Sequence, residues 1–179
     1  MRKLGMDELN RKSIDEFRSA EKIPVIAILE NIRSAYNVGS VFRTADAFLI
    51  EAVLITGYTA KPPHKEITKT ALGAQDSVYW KYFESTNLAI RELKQDQYRV
   101  FAVEQVEDSI RLEKLSELCN DKIAFIFGNE VSGVDAETIA LCDGCIEIPQ
   151  FGMKHSLNIS VAAGIVLWEA VKTKSFLKA

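Results

Sequence analysis

Short apolar runs recur along the chain and are separated by polar residues. They are rich in β-branched side chains, which is typical of strands buried on both faces of a parallel sheet. Residues 77–82 are a weaker strand candidate. The clear predicted strands are residues 24–29, 52–55, 100–103, 123–127 and 145–148.

Helical patterns occupy the intervals between these runs. Strand–helix alternation predicts an α/β fold, in which a mostly parallel sheet carries helices on both faces. We expect a helical extension over residues 1–22 and one domain over residues 23–179, because a chain of 179 residues suits one domain and no linker interrupts it. The predicted helices are residues 6–20, 38–48, 87–95, 112–118, 136–141 and 157–173.

Residues 56–70 break this alternation. Two successive prolines, Pro62 and Pro63, exclude a helix or a central strand at that point, so we predict a long loop. The segment follows a strand, and α/β sheets bind their ligands in loops at the carboxyl ends of strands. Its basic side chains are Lys61, His64, Lys65 and Lys69.

Charge is distributed unevenly along the chain. The net charge of −3 is unusual for a protein that binds nucleic acid. Residues 1–82 carry 12 Lys and Arg against 10 Asp and Glu, whereas residues 83–179 carry 10 against 15. Any face that binds nucleic acid should therefore draw on the N-terminal half, although an ordinary solvated surface explains the same imbalance.

Composition restricts the class of protein. No apolar run reaches the ~20 residues that a membrane-spanning helix needs, and the N-terminus lacks the apolar core of a signal peptide. The three cysteines, an odd number without a secretory signal, indicate reduced thiols in the cytoplasm. Cys142 and Cys145 form a CxxC pair, but no second pair exists, which disfavours a metal or redox role.

A first polar segment, residues 31–45, directly follows the first strand. Asn37 can cap the next helix, and Gly39 permits close approach of backbone or ligand. Asn31, Asn37 and Arg43 would then gather hydrogen-bonding groups at one strand–helix junction. A capped helix with an exposed arginine is the alternative interpretation of this segment.

A second polar segment, residues 127–134, places Gly128, Asn129, Glu130 and Gly133 after the most apolar strand. The pattern is that of a tight turn at the carboxyl edge of the sheet. It is neither GxGxxG nor a P-loop, so it does not support a pyrophosphate cradle. A plain turn explains the glycines but not the Asn-Glu pair.

A third segment, residues 148–164, leads from a strand ending at Pro149 into a long apolar helix. Ser156 can cap that helix, and its polar first turn would face the same sheet edge as the second segment. Gly164 lies inside the helix, where glycine costs roughly 1 kcal/mol against alanine, so we expect close packing there. His155 could act as a base, although a lone loop histidine is more often a surface residue.

In order and spacing, these segments resemble the three motifs of the SpoU, or TrmH-like, branch of the SPOUT methyltransferases. The motifs are NxxxxxNxGxxxRTA, GNExxG and IPxxGxxxSLNxSVAxGI, and the resemblance covers about residues 24–170. The tract Lys-Thr-Ala-Leu-Gly-Ala that begins at Lys69 resembles the linker before the family's next strand. Val131 is a departure, because many members have glycine after the glutamate of the second motif.

The resemblance implies a C-terminal deep trefoil knot, a homodimer without metal, and transfer of a methyl group from S-adenosylmethionine to a ribose 2′-hydroxyl of tRNA or rRNA. The implied cofactor-binding residues are Val103, Glu104, Gly128, Asn129, Ile148 and Leu157. The implied catalytic residues are Arg43, aided by Asn37, Glu130, Ser156 and Asn158. The residues expected to contact RNA are Arg33, Arg43, Lys61, Lys65 and Lys69.

The resemblance assigns the role of general base to Arg43. Because the pKa of arginine exceeds about 12, we instead expect Arg43 to bind a phosphate and stabilise the developing alkoxide, while a phosphate oxygen or water takes the proton. Glu130 would order Asn37 or Arg43 across the site, or else cap its own turn.

Other functions remain open from the sequence. A non-catalytic RNA-binding or assembly module could keep this fold, and a related knotted enzyme could methylate a base. A nicotinamide dehydrogenase is disfavoured because the glycine fingerprint and the acidic residue about 20 positions on are absent. The sequence leaves the RNA and the nucleotide unidentified.

Overall fold

Seven parallel strands form one sheet in the computed structural model, which describes residues 1–5, 8, 12–118, 122–154 and 156–173. The sheet order is β3-β2-β1-β6-β4-β7-β5. The strands are β1 (Ile23–Glu30), β2 (Ile50–Thr56), β3 (Trp80–Phe83), β4 (Arg99–Val103), β5 (Ile110–Arg111), β6 (Ile123–Phe127) and β7 (Gly144–Glu147).

Eight α-helices accompany the sheet in the part of the chain that the structure describes. They are α1 (Ile14–Ser19), α2 (Ala35–Ala47), α3 (Lys65–Ala71), α4 (Ala74–Ser77), α5 (Thr86–Gln95), α6 (Leu115–Leu118), α7 (Ala136–Leu141) and α8 (Ile159–Thr173). A 3-10 turn, Leu112–Lys114, precedes α6.

Alternate residues of each strand point to opposite faces of the sheet. Both faces carry apolar side chains, and helices cover both. Val25 and Phe125 belong to the larger core, which also holds buried side chains of α1, α2, α3, α4, α6 and α8. Ile26 and Ile126 belong to a second core, closed by α5. The predicted α/β fold with a parallel sheet is confirmed.

The strand order reverses direction at the pair β1–β6. The chain adds β2 and β3 on one side of β1, and then places β6 and β4 on the other side. Crevices at such reversals, beyond the carboxyl ends of the strands, bind ligands in α/β sheets. Glu30 pairs with Thr56, and Leu29 pairs with Phe127, so these strand ends lie side by side. The knotted threading stays a prediction from the resemblance.

One expectation about secondary structure was wrong, and two short elements were missed. Residues 65–70 are not loop: α3 begins directly after the two prolines, and the His64 imidazole accepts a hydrogen bond from the Glu66 N–H as its cap. Pro62 and Pro63 do lie outside helix and strand. Strand β5 and helix α4 were missed, since elements of two and four residues carry no readable period.

The first helix is described only over α1, so residues 6, 7 and 9–11 of the predicted helix 6–20 lie outside the described residues. Phe17 is buried in the larger core, and the Arg18 guanidinium donates to the Asp76 carbonyl, 2.6 Å away. Cys119 and His155 also lie outside the described residues. No described helix combines the length and apolar character that crossing a membrane requires.

Candidate functional site

A cavity of about 390 Å³ opens where β4, β6 and β7 end. Three loops form its walls: the end of β4, the turn after β6, and the segment between β7 and α8. All six residues predicted to bind a cofactor line this cavity: Val103, Glu104, Gly128, Asn129, Ile148 and Leu157. Two predicted catalytic residues, Glu130 and Ser156, line it as well.

The turn after β6 is held by Asn129, which is buried. Its side-chain oxygen accepts hydrogen bonds from the N–H groups of Val131 (2.8 Å) and Ser132 (3.0 Å). Asn129 and Gly133 also exchange backbone hydrogen bonds of 2.9 and 3.0 Å. Val131 keeps a negative φ and an exposed side chain, so the turn accepts valine without backbone strain.

Glu104 joins the end of β4 to this turn. Its carboxylate accepts hydrogen bonds from the N–H groups of Val134 (3.1 Å) and Gln105 (2.9 Å). Gly133 has a φ of 72°, and a Cβ at that position would overlap the Glu104 carboxylate. Glycine is therefore required at position 133 by both the conformation and the close approach.

Glu130, Asn37 and Asn158 connect the three polar segments by hydrogen bonds. The Glu130 carboxylate accepts from the Asn37 side-chain amide at 2.9 Å. The Asn158 amide in turn donates to the Asn37 side-chain oxygen at 3.2 Å. Segments more than 90 residues apart in sequence thus meet at the mouth of the cavity, as the prediction that Glu130 orders Asn37 requires.

The same carboxylate also binds the start of α2. It accepts hydrogen bonds from the N–H groups of Arg33 (2.9 Å) and Ser34 (3.2 Å). Burial raises the pKa of Glu130, but the hydrogen bonds from Arg33, Asn37 and Ser34 outweigh that effect, so its pKa lies below the usual value. Glu130 is therefore an ionised hydrogen-bond acceptor at neutral pH, and a poor proton donor.

Two capping predictions were wrong. Ser34, not Asn37, caps α2, because its hydroxyl accepts from the Asn37 N–H at 3.4 Å. Asn158, not Ser156, caps α8, where its side-chain oxygen accepts from the Ser160 N–H at 2.9 Å. Helix α2 begins three residues earlier, and α8 two residues later, than the sequence pattern indicated. The shift in α2 leaves the Asn37 side chain free to bridge.

Arg43 lies apart from the cavity. It is exposed on α2, six residues beyond Asn37 and thus about 9 Å farther along the helix axis. It makes no hydrogen bond or ion pair with any residue that the structure describes. Because helical side chains tilt toward the helix N-terminus, its side chain leans toward the end of α2 that carries Asn37.

The residues predicted to contact RNA are all exposed: Arg33, Arg43, Lys61, Lys65 and Lys69. Two of them lie over aromatic rings. The Lys61 ammonium is 3.8 Å from the centre of the Tyr82 ring, and the Lys69 ammonium is 5.9 Å from that of Tyr36. Gly39 packs against the backbone of α3, so the predicted close approach is to backbone and not to a ligand.

Sequence reasoning missed Tyr58 and Glu30 at this edge, whereas it named Asn31 in the first polar segment. Tyr58 receives a hydrogen bond of 2.6 Å from the Asn129 amide, and Asn31 accepts one of 3.3 Å from the Tyr58 N–H. The buried Glu30 carboxylate holds α7 by accepting from the Asp135 N–H and the Thr138 hydroxyl. A signal existed for Glu30, because a carboxylate ending a fully apolar strand must find buried partners.

Burial favours the protonated form of both thiols of the CxxC pair. Burial is the main cause that raises the pKa of Cys142 to about 12, and burial likewise raises that of Cys145. The Cys142 thiol donates to the Thr138 carbonyl at 3.3 Å. Thiols that stay protonated at neutral pH are poor nucleophiles and poor metal ligands. The described residues contain no cluster of three or more side chains suited to a metal ion.

The sequence of this chain matches a known protein family. The family described as the SpoU rRNA methylase family matches residues 24–168. The match includes the three polar segments and every cavity-lining residue named above. It therefore covers most of the chain and the whole site.

Similar characterised proteins modify RNA. The chain is 32% identical over 168 residues to the tRNA (guanosine(18)-2′-O)-methyltransferase of Thermus thermophilus, covering 93% of this chain and 84% of that protein. It is 31% identical over 170 residues to the 23S rRNA (guanosine-2′-O-)-methyltransferase RlmB of Vibrio parahaemolyticus. That match covers 93% of this chain and 66% of the longer relative.

Solved structures share the fold. The Aquifex aeolicus TrmH/SpoU tRNA modifying enzyme superposes with a TM-score of 0.79 at 24% identity, covering 89% of this chain and 80% of that one. An AdoMet-bound rRNA methyltransferase from Sinorhizobium meliloti superposes with a TM-score of 0.78 at 25% identity. This superposition covers 87% of this chain and 59% of the Sinorhizobium meliloti chain.

Proposed function

The chain belongs to the SpoU rRNA methylase family, and from this premise we propose that it methylates a ribose 2′-hydroxyl of tRNA or rRNA in the cytoplasm. The hydrogen-bonded line Glu130–Asn37–Asn158 carries the proposal, because it gathers the three polar segments beside one cavity. The transferase domain is residues 23–179, with α1 as an added helix that contributes Phe17 to the core.

The methyl donor is S-adenosylmethionine, and the cavity fits it. Its volume lies within the usual range for small-molecule sites, about 300–1,000 Å³. Val103, Ile148 and Leu157 offer apolar surface to an adenine ring, while Glu104 and Glu130 offer carboxylates to hydroxyl and charged groups. When bound, this donor supplies an activated methyl group on a sulfonium.

The side chains around the cavity then divide the work. Asn37 and Asn158, held by Glu130, orient the ribose against the donor, since alignment of reacting atoms can supply several kcal/mol. Ser156 lines the cavity at the same mouth and offers a hydroxyl to the substrate. Arg43 binds the neighbouring phosphate and stabilises the developing alkoxide, while a phosphate oxygen or water accepts the proton.

Methyl transfer to unmodified RNA tests this proposal. Purified protein, methyl-labelled S-adenosylmethionine and in vitro transcribed tRNA or rRNA should yield labelled RNA, and complete nuclease digestion should place the label in a 2′-O-methyl nucleoside. Label in a base would indicate the base-methylating alternative. RNA binding without any transfer to either RNA would indicate the non-catalytic alternative. The nucleoside lost from a knockout strain identifies the target.

Removal of two lysines should weaken RNA binding specifically. We expect Lys61→Ala/Lys65→Ala to bind tRNA about tenfold more weakly and to lower the slope of log affinity against log salt by about 1.5, because each lost phosphate contact removes about 0.7–0.9. Affinity for S-adenosylmethionine should be unchanged. Filter binding across a salt series and calorimetry measure the two affinities.

A matched control is Lys114→Ala/Lys122→Ala, which removes the same charge outside the segment 56–70. It should leave tRNA affinity and its salt slope close to those of the wild type. An equal fall in cofactor affinity for Lys61→Ala/Lys65→Ala would show that these lysines support the structure and do not bind RNA.

The partner of α8 is a second copy of this chain. Val161, Ile165 and Trp168 form an exposed apolar stripe on α8, with exposures of 50%, 38% and 45%. Gly164 lies within that stripe, and a Cβ there would meet nothing within 4 Å, so the predicted close packing is absent inside the described chain. An apolar stripe with a notch suits close packing against another helix.

Ile165→Arg should therefore convert a dimer into a monomer. A buried, unpaired charge at an interface costs several kcal/mol, which raises the Kd of a dimer by about two orders of magnitude or more and dissociates a micromolar dimer. Sedimentation equilibrium should give the mass of one chain for this variant and of two for the wild type. Leu88→Arg, on the opposite face of the sheet, should remain dimeric; a monomeric wild type would contradict the proposal.

A further inference from the structure

Tyr58 carries an exposed aromatic ring at the edge of the sheet where the cavity opens. It follows β2 by two residues, and 65% of its surface is exposed. No other ring and no lysine or arginine packs on its ring within the described residues. An exposed tyrosine is an ordinary surface feature by itself, but this one is held by hydrogen bonds to Asn129 and Asn31.

Hydrogen bonds hold Tyr58 at both ends. The Asn129 side-chain amide donates to its hydroxyl at 2.6 Å, and its own N–H donates to the Asn31 side-chain oxygen at 3.3 Å. Gly57 precedes it with a φ of 62°, and a Cβ at that position would overlap the Asn31 side chain. The direction in which the chain presents the ring is thus fixed.

The next residue anchors the turn from below. Thr59 is buried, its hydroxyl donates to the Leu29 carbonyl at 3.0 Å, and the same hydroxyl accepts from the Ile32 N–H at 2.8 Å. Thr59 therefore binds the turn to β1 while Tyr58 stays outside the core. Ordering the ring in advance lowers the entropy that a ligand would have to overcome on binding.

The neighbours of the ring indicate which ligand would use it. Asn129 lines the cavity, so the ring lies one hydrogen bond from the proposed cofactor site. Lys61, three residues later, is exposed and positively charged, as are Lys65 and Lys69 in the same stretch of chain. A flat, fixed ring beside the proposed methyl-transfer site, in a stretch of chain that also carries exposed lysines, has the two components of single-strand recognition, stacking and phosphate attraction.

We propose that the Tyr58 ring is a stacking platform for a nucleobase of the RNA, placed beside the methyl-transfer site by the Asn129 hydrogen bond. The inference rests on the proposed function, because it assigns the ring to the same substrate. It adds a residue that the three motifs do not contain. The base that stacks on Tyr58 is the one attached to the reactive ribose or a base next to it.

Binding of a short fluorescein-labelled oligoribonucleotide of mixed sequence tests the platform in the full-length protein. By fluorescence anisotropy, Tyr58→Ala should raise the Kd about tenfold, within the range that base–aromatic stacking supports. Tyr58→Phe keeps the stacking ring and loses only the hydroxyl that Asn129 holds, so its Kd should rise by no more than about threefold. Tyr79→Ala is the matched control. Tyr79 is 63% exposed, but it precedes β3 and so lies at the amino ends of the parallel strands, away from the cavity.

A second probe separates stacking from charge. An abasic ribose–phosphate oligomer of the same length should bind the wild type and Tyr58→Ala equally, since it offers no base to stack. If Tyr58→Ala destabilises the protein, Tyr58→Leu replaces it, because leucine keeps apolar bulk without a stacking face. Loss of mixed-sequence binding in Tyr58→Leu but not in Tyr58→Phe then supports the platform.

Two outcomes would overturn the platform. One is a Tyr58→Ala or Tyr58→Leu variant with the same Kd as Tyr79→Ala, and the other is an equal loss with the abasic oligomer. Methyl transfer by the wild type is measured separately and tests the proposed function. If the wild type transfers methyl groups and Tyr58→Ala binds the oligomer normally, the platform is wrong and the proposed function stands. Absence of any transfer by the wild type would remove the function itself.

Discussion

Arg43→Ala should lower kcat for RNA methylation about 100- to 1,000-fold, the usual cost of removing one group that stabilises transition-state charge. The S-adenosylmethionine affinity should not change, because Arg43 does not line the cavity. Single-turnover transfer of labelled methyl groups to RNA gives the rate, and calorimetry gives the cofactor affinity. Arg91→Ala removes another exposed arginine, from α5, and should leave the rate unchanged.

The lysine variant distinguishes two roles for Arg43. If the arginine stabilises charge, Arg43→Lys should recover part of the rate without a new ionisation in the pH–rate profile, because lysine also carries a positive charge. If the residue is the general base, Arg43→Lys should introduce an ionisation near the pKa of lysine, about 10.4. A full rate in Arg43→Ala would exclude both roles.

The position of Arg43 explains why this test matters. It is exposed, it lies about 9 Å along α2 from Asn37, and it does not line the cavity. Arg43 follows the family pattern, but the sequence carries no information about which molecule completes its environment. The variant kinetics, measured with RNA present, supply that environment.

The sheet was predictable because the buried strands are nearly continuous apolar runs. Residues 123–127 were placed in a strand from composition alone, and the strand ends there in the structure. The structure of the segment 56–70 was not predictable, because two successive prolines are equally compatible with a loop and with the residues that precede a helix. The capping imidazole of His64 decides between them, and a histidine cap is not among the preferred residues of helix N-termini.

The site was predictable where motif residues meet at strand ends. Parallel strands end at one edge, so the segments that hold Glu130 and Asn37 had to approach each other. The detail of that approach was not predictable, because Ser34 and Asn158 took the capping positions assigned to Asn37 and Ser156. A shift of three or two residues in a helix start changes which side chain is free to bridge.

Tyr58 shows the limit of motif reasoning in this chain. Its role depends on a hydrogen bond to Asn129, 71 residues away in sequence, and no local pattern encodes that contact. The glycine before it was the one available signal, since a glycine that ends a strand often marks a turn with positive φ.

Glu130→Gln should lower kcat about 10- to 100-fold while the protein still folds and binds S-adenosylmethionine. The carboxylate accepts from the Asn37 amide and from the N–H groups of Arg33 and Ser34, all of which are donors. A glutamine places an NH₂ group where one of the carboxylate oxygens accepts, so Asn37 loses its position, and misplacement of about 1 Å can cost 10²-fold in rate. Steady-state kinetics measure the loss.

The stability that the wild type gains over Glu130→Gln should depend on pH in a defined direction. The pKa of Glu130 is lowered in the folded chain, so its carboxylate stabilises the fold above the unfolded pKa, and this contribution is lost as the pH falls through the folded pKa. The difference in unfolding free energy between wild type and variant should therefore be constant near neutral pH and shrink in acid. Urea denaturation at several pH values measures it.

Glu117→Gln is the control, because Glu117 is exposed on α6 and makes no contact with the cavity. It should match the wild type in rate. If the rate of Glu130→Gln also matched that of the wild type, the carboxylate would be only a local cap of α2. Asn37 would then keep its position through Asn158 alone. The three segments would then need a different link, because Glu130 is the residue that binds both Asn37 and the start of α2.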